Sequence, residues 1–154
     1  LFAEFEKLFT MNHVTDITVI KKGIVVTTDH LFSSPLKKSG KTLNLGRYKI
    51  LINIGERQGS VNAINLDQRV DGYNHPHEYG ANGDLCLGNI MNGFAKLVGD
   101  MEYAVAVALI VQFMTNGINE DDHYGKRADR WPEKDKEHTL GNVESASIPT
   151  GFLV

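Results

Sequence analysis

The chain has 154 residues and a mass of 17.1 kDa, which is the length of one ordinary domain. Apolar residues make up 42% and charged residues 23%, a globular composition that excludes disorder of the whole chain. The single cysteine, Cys86, excludes a disulfide framework, and the net charge of −3 predicts no strong attraction to nucleic acid.

The first half of the chain predicts one helix followed by four strands. Residues 1–11 place Leu1, Phe5, Leu8 and Phe9 on one helical face, which is typical of an amphipathic helix. Alternating and β-branched segments predict strands at residues 14–20, 24–28, 46–54 and 60–66. Because consecutive strands joined by short connections pair antiparallel, we expect a meander sheet.

The second half predicts a long loop and then a buried helix. Residues 71–92 are rich in Gly, Asn, His and Asp, and loops of this length are uncommon unless they are functional. Residues 101–115 are apolar almost all round, which indicates a buried helix, and Asp100 is its expected cap. The predicted fold class is therefore α+β: an N-terminal helix, a four-stranded antiparallel meander sheet, a long active-site loop and a buried central helix. We expect one domain over residues 1–132 and a peripheral or partly disordered tail over residues 133–154.

The sequence predicts a cytoplasmic protein without a membrane partner. No apolar run reaches the ~18–20 residues that span a bilayer, and the first residues do not resemble a signal peptide. A lone free thiol is typical of a reducing compartment.

The most informative segment is residues 75–89, His-Pro-His-Glu-Tyr-Gly-Ala-Asn-Gly-Asp-Leu-Cys-Leu-Gly-Asn. Pro76 restricts its own backbone and that of His75, and Asn82-Gly83 is a turn signal just before the cysteine. Leu85 and Leu87 flank the thiol. We expect them to anchor the segment in the core while Cys86 stays at its rim.

This segment resembles the active site of ubiquitin-conjugating enzymes, in which a His-Pro-Asn triplet precedes a Gly-x-Ile-Cys-Leu nucleophile. A second similarity lies downstream, where residues 119–124, Asn-Glu-Asp-Asp-His-Tyr, resemble the family's Asn-Pro-Asp-Asp-Pro-Leu. The order of thiol, buried helix and acidic motif agrees, as does the upstream helix with four strands. The variants His-Pro-His and Cys-Leu-Gly-Asn look most like prokaryotic or phage-encoded relatives.

The resemblance implies that Cys86 takes a ubiquitin-like modifier as a thioester from an adenylating (activating) enzyme and passes it to an amine of a protein substrate. His77 stands where the family has its asparagine and is the expected oxyanion donor, while Asp122 is expected to orient and help deprotonate the incoming lysine. His75, Asp121 and Tyr124 are implied to have supporting roles. Neither a cofactor nor a metal is expected for this chemistry.

Three other interpretations of the same residues remain open. The scaffold could be a catalytically inactive binding module of the kind related to conjugating enzymes (UBC/RWD-like), which the replacement of asparagine by His77 favours. His75, His77 and Cys86 could form the ligand set of a zinc-dependent hydrolase. Cys86 could also act with a histidine base as in cysteine proteases, although no third orienting residue is evident.

Overall fold

The computed structural model describes residues 2–55, 59–79, 82–121, 123–134 and 143–144. Within them the helices are α1 (Phe2–Thr10), α2 (Met91–Gly99), α3 (Tyr103–Asn116) and α4 (His123–Arg130), and a 3₁₀ turn, Gly88–Ile90, leads into α2. The predicted first helix and the predicted buried helix correspond to α1 and α3. The sequence analysis did not predict α2 and α4.

The strands are short and come mostly from the first half of the chain. In chain order they are β1 (Val14–Ile20), β2 (Gly23–Thr28), β3 (Leu31–Phe32), β4 (Asn44–Gly46), β5 (Tyr48–Asn53), β6 (Val61–Asn65), β7 (Arg69–Val70), β8 (Glu78–Tyr79), β9 (Asp84–Leu85) and β10 (Val143–Glu144). The four predicted strands correspond to β1, β2, β5 and β6.

The main sheet is antiparallel and has the order β1-β2-β5-β6-β9-β8. Its first four members form the predicted meander. The expected number of strands was wrong, because the loop itself folds into a two-strand hairpin, β8–β9, that extends the sheet to six. Asn62 of β6 pairs with Asp84 of β9, so the sheet places this hairpin beside its last long strand.

The core lies between one face of the sheet and the helices. Every second residue of the central strands points into it, as Ile24 and Val26 of β2 do. The buried side of α3 supplies Ala106, Ile110 and Met114, all almost fully inaccessible. The predicted burial of this helix is confirmed for this side only, because Val105 on the other side is 54% exposed. A smaller apolar cluster of Val25, Leu51 and Ile64, packed with Ile20, occupies the opposite face of the sheet.

The start of α3 differs from the sequence expectation. Asp100 follows the end of α2 and its carboxylate pairs with Lys96 at 2.6 Å, instead of capping α3. The backbone N–H of Ala104 donates to the Glu4 carboxylate of α1 at 3.1 Å. A free N–H in the first turn of α3 is thus satisfied by a side chain a hundred residues away, which no local pattern reveals.

The segment predicted to be a peripheral tail is described only at residues 133–134 and 143–144. Glu133 bridges to Leu43, Lys134 donates its backbone N–H to Thr42, and β10 pairs with β7. Among the described helices, none combines the length and apolar character needed to cross a bilayer.

Candidate active site

The hairpin β8–β9 determines the position of Cys86. Glu78 pairs with Leu85, Tyr79 pairs with Asp84, and the backbone N–H of Cys86 donates to the His77 carbonyl at 2.9 Å. The pairing therefore continues for one more residue and sets the thiol opposite His77. Since side chains alternate along paired strands, His77, Tyr79 and Cys86 belong to one face of the hairpin and Glu78 and Leu85 to the other.

The turn of this hairpin needs a glycine at position 83. Gly83 has a φ of +89°, and a Cβ at this position would lie 2.8 Å from Ile64 Cδ1. The absence of a side chain lets the turn lie directly against β6.

The leucines on either side of the thiol are anchors. Leu85 and Leu87 are 5% and 2% exposed and belong to the main core, whereas Cys86 between them is partly exposed. The expected arrangement of two buried leucines around a cysteine at the rim is confirmed. Tyr79, which the sequence analysis did not single out, is more than half exposed, and its interaction with the Cys86 side chain raises the pKa of Tyr79.

His75 is completely buried and both of its ring nitrogens are engaged. Nε2 lies 2.9 Å from the Met114 carbonyl of α3, to which it can only donate, and Nδ1 accepts the backbone N–H of His77 at 3.1 Å. Burial lowers the pKa of His75 to about 3, so the ring is neutral at physiological pH. The imidazole joins the loop to the central helix.

These hydrogen bonds do not favour the zinc set of His75, His77 and Cys86. A metal would need a lone pair from each imidazole, and His75 directs one nitrogen as a donor to α3 and the other to a backbone N–H. Among the residues that the structure describes, no group of three or more His, Cys, Asp or Glu side chains is arranged to hold a metal ion.

His77 is also buried, at 6% exposure, and it connects the loop to the acidic motif. Its Nε2 accepts the backbone N–H of Asn119 at 3.0 Å, and the ring meets Phe113 edge-on with centroids 5.8 Å apart. When the ring is neutral, its hydrogen is therefore on Nδ1. An oxyanion donor at this position would have to act through Nδ1 and not through Nε2.

The acidic motif docks on the loop between β3 and β4. The Glu120 carboxylate accepts the backbone N–H groups of Lys38 at 2.7 Å and Ser39 at 3.3 Å, and these bonds lower its pKa. Asp121 forms an exposed ion pair with the Lys38 ammonium, and its backbone N–H donates to the Asn119 side chain at 2.9 Å. Asp122 and the side chain of Tyr124, two of the predicted site residues, lie outside the described residues.

Two charged residues that the sequence analysis missed hold the loop together. The first is Glu78, whose carboxylate is inaccessible to solvent and accepts the N–H groups of Asn74, His75 and Gly83, together with the Asn74 side-chain amide at 3.1 Å. Burial raises the pKa of Glu78, although the surrounding donors favour its ionised form. In the sequence it looks like any surface glutamate, because its partners come together only in the folded loop.

The second is Arg127 of α4. Its guanidinium donates to the carbonyls of Pro76, at 3.3 Å, and Glu78, and lies 3.7 Å from the centre of the Tyr73 ring. A single side chain thus binds three points of the loop, two of them backbone carbonyls that lie two residues apart. A planar guanidinium can donate to several acceptors at once, which an ammonium on a flexible stem does less well.

The structure therefore brings together His75, His77 and Cys86 with the beginning of the acidic motif, on a loop braced by Glu78 and Arg127. Comparisons of the chain with protein-family models, curated protein sequences and solved structures find no match.

Proposed function

We propose that this chain is a ubiquitin-conjugating-enzyme-like domain of prokaryotic or phage type. In this proposal Cys86 receives a ubiquitin-like modifier from an adenylating enzyme as a thioester and transfers it to an amine of a protein substrate. The observation that carries the proposal is the placement of Cys86: it is the chain's one thiol, partly exposed, on a hairpin whose neighbouring leucines are buried.

The thiol suits a carrier role. Its sulfur attacks the modifier's C-terminal carbonyl, and the thiol proton leaves to solvent. The bond between that carbonyl and the group that the adenylating enzyme had attached to it breaks, and this group departs. A deprotonated thiol is the strongest nucleophile among ordinary side chains near neutral pH. The thioester that results remains reactive toward amines, so a carrier can pass the acyl group on.

The surroundings of Cys86 support a rigid acceptor site. Its backbone N–H is bound to His77, and His77 and His75 are in turn tied to Asn119 and Met114. A modifier held on the sulfur would therefore face the segment that begins at Asn119. The proposed acidic residue Asp122 lies three positions further along the chain.

The test is an adduct assay that combines this chain with a cognate adenylating enzyme, a ubiquitin-like modifier and ATP. We expect an adduct that an added thiol releases by thioester exchange and that Cys86→Ala does not form. Cys86→Ser is the matched control, because a serine ester would resist exchange with the added thiol. If every such pairing fails to give an adduct while the purified chain is folded, the carrier proposal is wrong.

A second experiment separates two roles for His77. Replacement by alanine removes the acceptor of the Asn119 N–H, whereas glutamine can place an oxygen near the position of Nε2. If His77 acts by positioning the acidic segment, His77→Gln should retain most of the transfer to lysine and His77→Ala should slow it. If both variants slow transfer by the ~100-fold typical of a lost oxyanion donor while loading is normal, Nδ1 is the acting group.

The engaged Nε2 of His77 also favours the alternative of an inactive binding module, since that nitrogen already serves the fold. The same adduct assay distinguishes the two functions. A binding module would retain a stable complex with the modifier or the adenylating enzyme, and Cys86→Ala would not weaken that complex.

A further inference from the structure

The turn between β8 and β9 contains an Asn-Gly pair whose surroundings are chemically unusual. The chain has three Asn-Gly pairs, at positions 82–83, 92–93 and 116–117. Asn92 lies inside α2 and Asn116 is the last residue of α3, whereas Asn82 is exposed and lies just before β9. The reaction that distinguishes Asn-Gly pairs is attack of the glycine nitrogen on the asparagine side-chain carbon.

Two hydrogen bonds support this attack at position 82. The N–H of Gly83, the nitrogen that would act as nucleophile, donates to the buried Glu78 carboxylate. The side-chain carbonyl Oδ1 of Asn82, on which negative charge would develop, accepts the N–H of Asp84 at 3.1 Å. The Glu78 carboxylate is thus in place to accept the proton that Gly83 must lose, and the Asp84 N–H is in place to stabilise the charge on the Asn82 oxygen.

The geometry of an amide permits both interactions during the reaction. The N–H bond of Gly83 lies in the peptide plane and points toward Glu78, while the attacking electron pair stands perpendicular to that plane. Glycine has no side chain to obstruct the approach, and its positive φ is already part of the turn. Burial raises the pKa of the Glu78 carboxyl, which makes its ionised form a stronger base than a solvated carboxylate.

From this arrangement we propose that Asn82 is a site of self-catalysed deamidation, with Glu78 as the general base. The Gly83 nitrogen forms a bond to Asn82 Cγ and loses its proton to Glu78. The bond from Cγ to the side-chain nitrogen breaks, and ammonia leaves after taking a proton through solvent. Water then opens the cyclic imide, and the product is aspartate or isoaspartate. This inference does not depend on the conjugating activity proposed above.

The modification would change the hairpin that carries Cys86. The Asn82 amide donates to the Asp84 carboxylate at 3.1 Å, and its conversion to a carboxylate replaces this attraction with repulsion. An isoaspartate also lengthens the main chain within the turn that sets the pairing of β8 with β9. Deamidation would thus act on the thiol segment slowly and irreversibly.

The test follows the three Asn-Gly pairs by peptide mass spectrometry during incubation at neutral pH. One sample is the native chain and the other is the same chain in urea, both in water enriched in heavy oxygen so that imide hydrolysis leaves a label. In the native chain we expect Asn82 to react at least ~10-fold faster than it does in urea, because positioned general-base catalysis contributes ~100-fold or more. Asn92 and Asn116 should react more slowly in the native chain than in urea. If native Asn82 reacts no faster than unfolded Asn82, the hairpin does not catalyse the reaction and the proposal is overturned.

Glu78→Gln tests the base. The substitution keeps a side-chain oxygen but removes the negative charge, and a variant with a native circular dichroism spectrum should deamidate at Asn82 ~100-fold more slowly. An unchanged rate in a folded variant would overturn the role of Glu78. If the variant does not fold, the comparison of native and urea-unfolded wild type decides the proposal.

Discussion

Replacement of His75 by glutamine should change how the stability of the protein depends on pH. The imidazole is buried, donates through Nε2 to Met114 and accepts through Nδ1 from His77. A glutamine amide can reach the position of Nε2 and retain the hydrogen bond to α3, but it does not titrate. The substitution therefore removes a proton-binding group while it keeps the bond between loop and helix.

The size of the effect follows from the pKa of His75, which burial lowers from 6.5 to about 3. At pH values above the pKa of the unfolded state, the histidine is neutral in both the folded and the unfolded chain, so its titration does not change the free energy of unfolding. As the pH falls below 6.5, the unfolded chain binds a proton that the folded chain does not, and the free energy of unfolding falls. The loss is about 1.4 kcal/mol per pH unit, hence about 3 kcal/mol between pH ~7.5 and ~4.5 and about 5 kcal/mol once the pH is below 3.

Glu78 acts in the opposite direction, because burial raises its pKa. The folded chain keeps a proton on this carboxyl at pH values where the unfolded chain has lost it, so its contribution to stability increases as the pH falls through the folded pKa. Since Glu78 is present in both wild type and His75→Gln, the difference between their unfolding free energies isolates the histidine.

Urea unfolding at a series of pH values measures that difference. At pH ~7.5 we expect His75→Gln to be the less stable protein, and by pH ~4.5 the gap should have narrowed by about 3 kcal/mol or reversed. His75→Asn can retain the hydrogen bond to His77 instead of the one to Met114. Its difference in unfolding free energy from wild type should change with pH in the same way, although its size at any one pH will differ. A gap that stays constant over this range would refute the conclusion that a buried neutral imidazole holds the loop.

Three further predictions concern the segment around the thiol. Leu87→Ala should lower the free energy of unfolding by about 2–5 kcal/mol in urea melts, because the side chain is 2% exposed in the main core; a loss under about 1 kcal/mol would mean that the leucine is no anchor. Arg127→Ala should speed hydrogen exchange at the backbone amide of Cys86 ~10-fold. A lost hydrogen bond from a charged donor is worth about 1.5 kcal/mol, which is about tenfold in the equilibrium for opening the loop. An unchanged exchange rate would show that α4 does not brace the loop. Gly83→Ala should lower the urea midpoint of unfolding more than Gly40→Ala does. Both glycines have a positive φ, but of the two only Gly83 has an atom, Ile64 Cδ1, within 3 Å of the new Cβ. Equal shifts would mean that backbone strain alone explains the loss and that the contact with Ile64 costs nothing.

Runs of β-branched and apolar residues are what made the long strands predictable from the sequence. In β2 and β5 these runs occupy both faces of the strand, since Ile24 and Ile50 belong to the main core and Val25 and Leu51 to the smaller cluster. The fold decided which of the two faces meets the helices. Clustered apolar side chains indicate the core in α3 and around Cys86 in the same way. The motif around the thiol could likewise be found from residue types and spacing alone.

The shorter elements gave too few residues for any period to be recognised. The hairpin β8–β9 has two residues in each strand, and its pairing depends on a turn held by the Glu78 carboxylate. Helix α2 begins within the segment read as loop, and its buried side is limited to Phe94 and Val98. Two buried positions in nine residues are a weak signal beside the glycines and asparagines around them.

The sequence by itself determined which residues are apolar, at what spacing, and where the one thiol stands, and these local properties sufficed for an α+β chain with a buried helix and an anchored cysteine. Only the tertiary structure decided that Glu78 is buried, that Glu4 satisfies the start of α3, and that Arg127 braces the loop. The physical reason is that these hydrogen bonds form only once the fold brings their partners together. Glu4 and Ala104 are a hundred residues apart in the chain, and the partners of Glu78, although within five residues of it, converge on its carboxylate only in the folded loop.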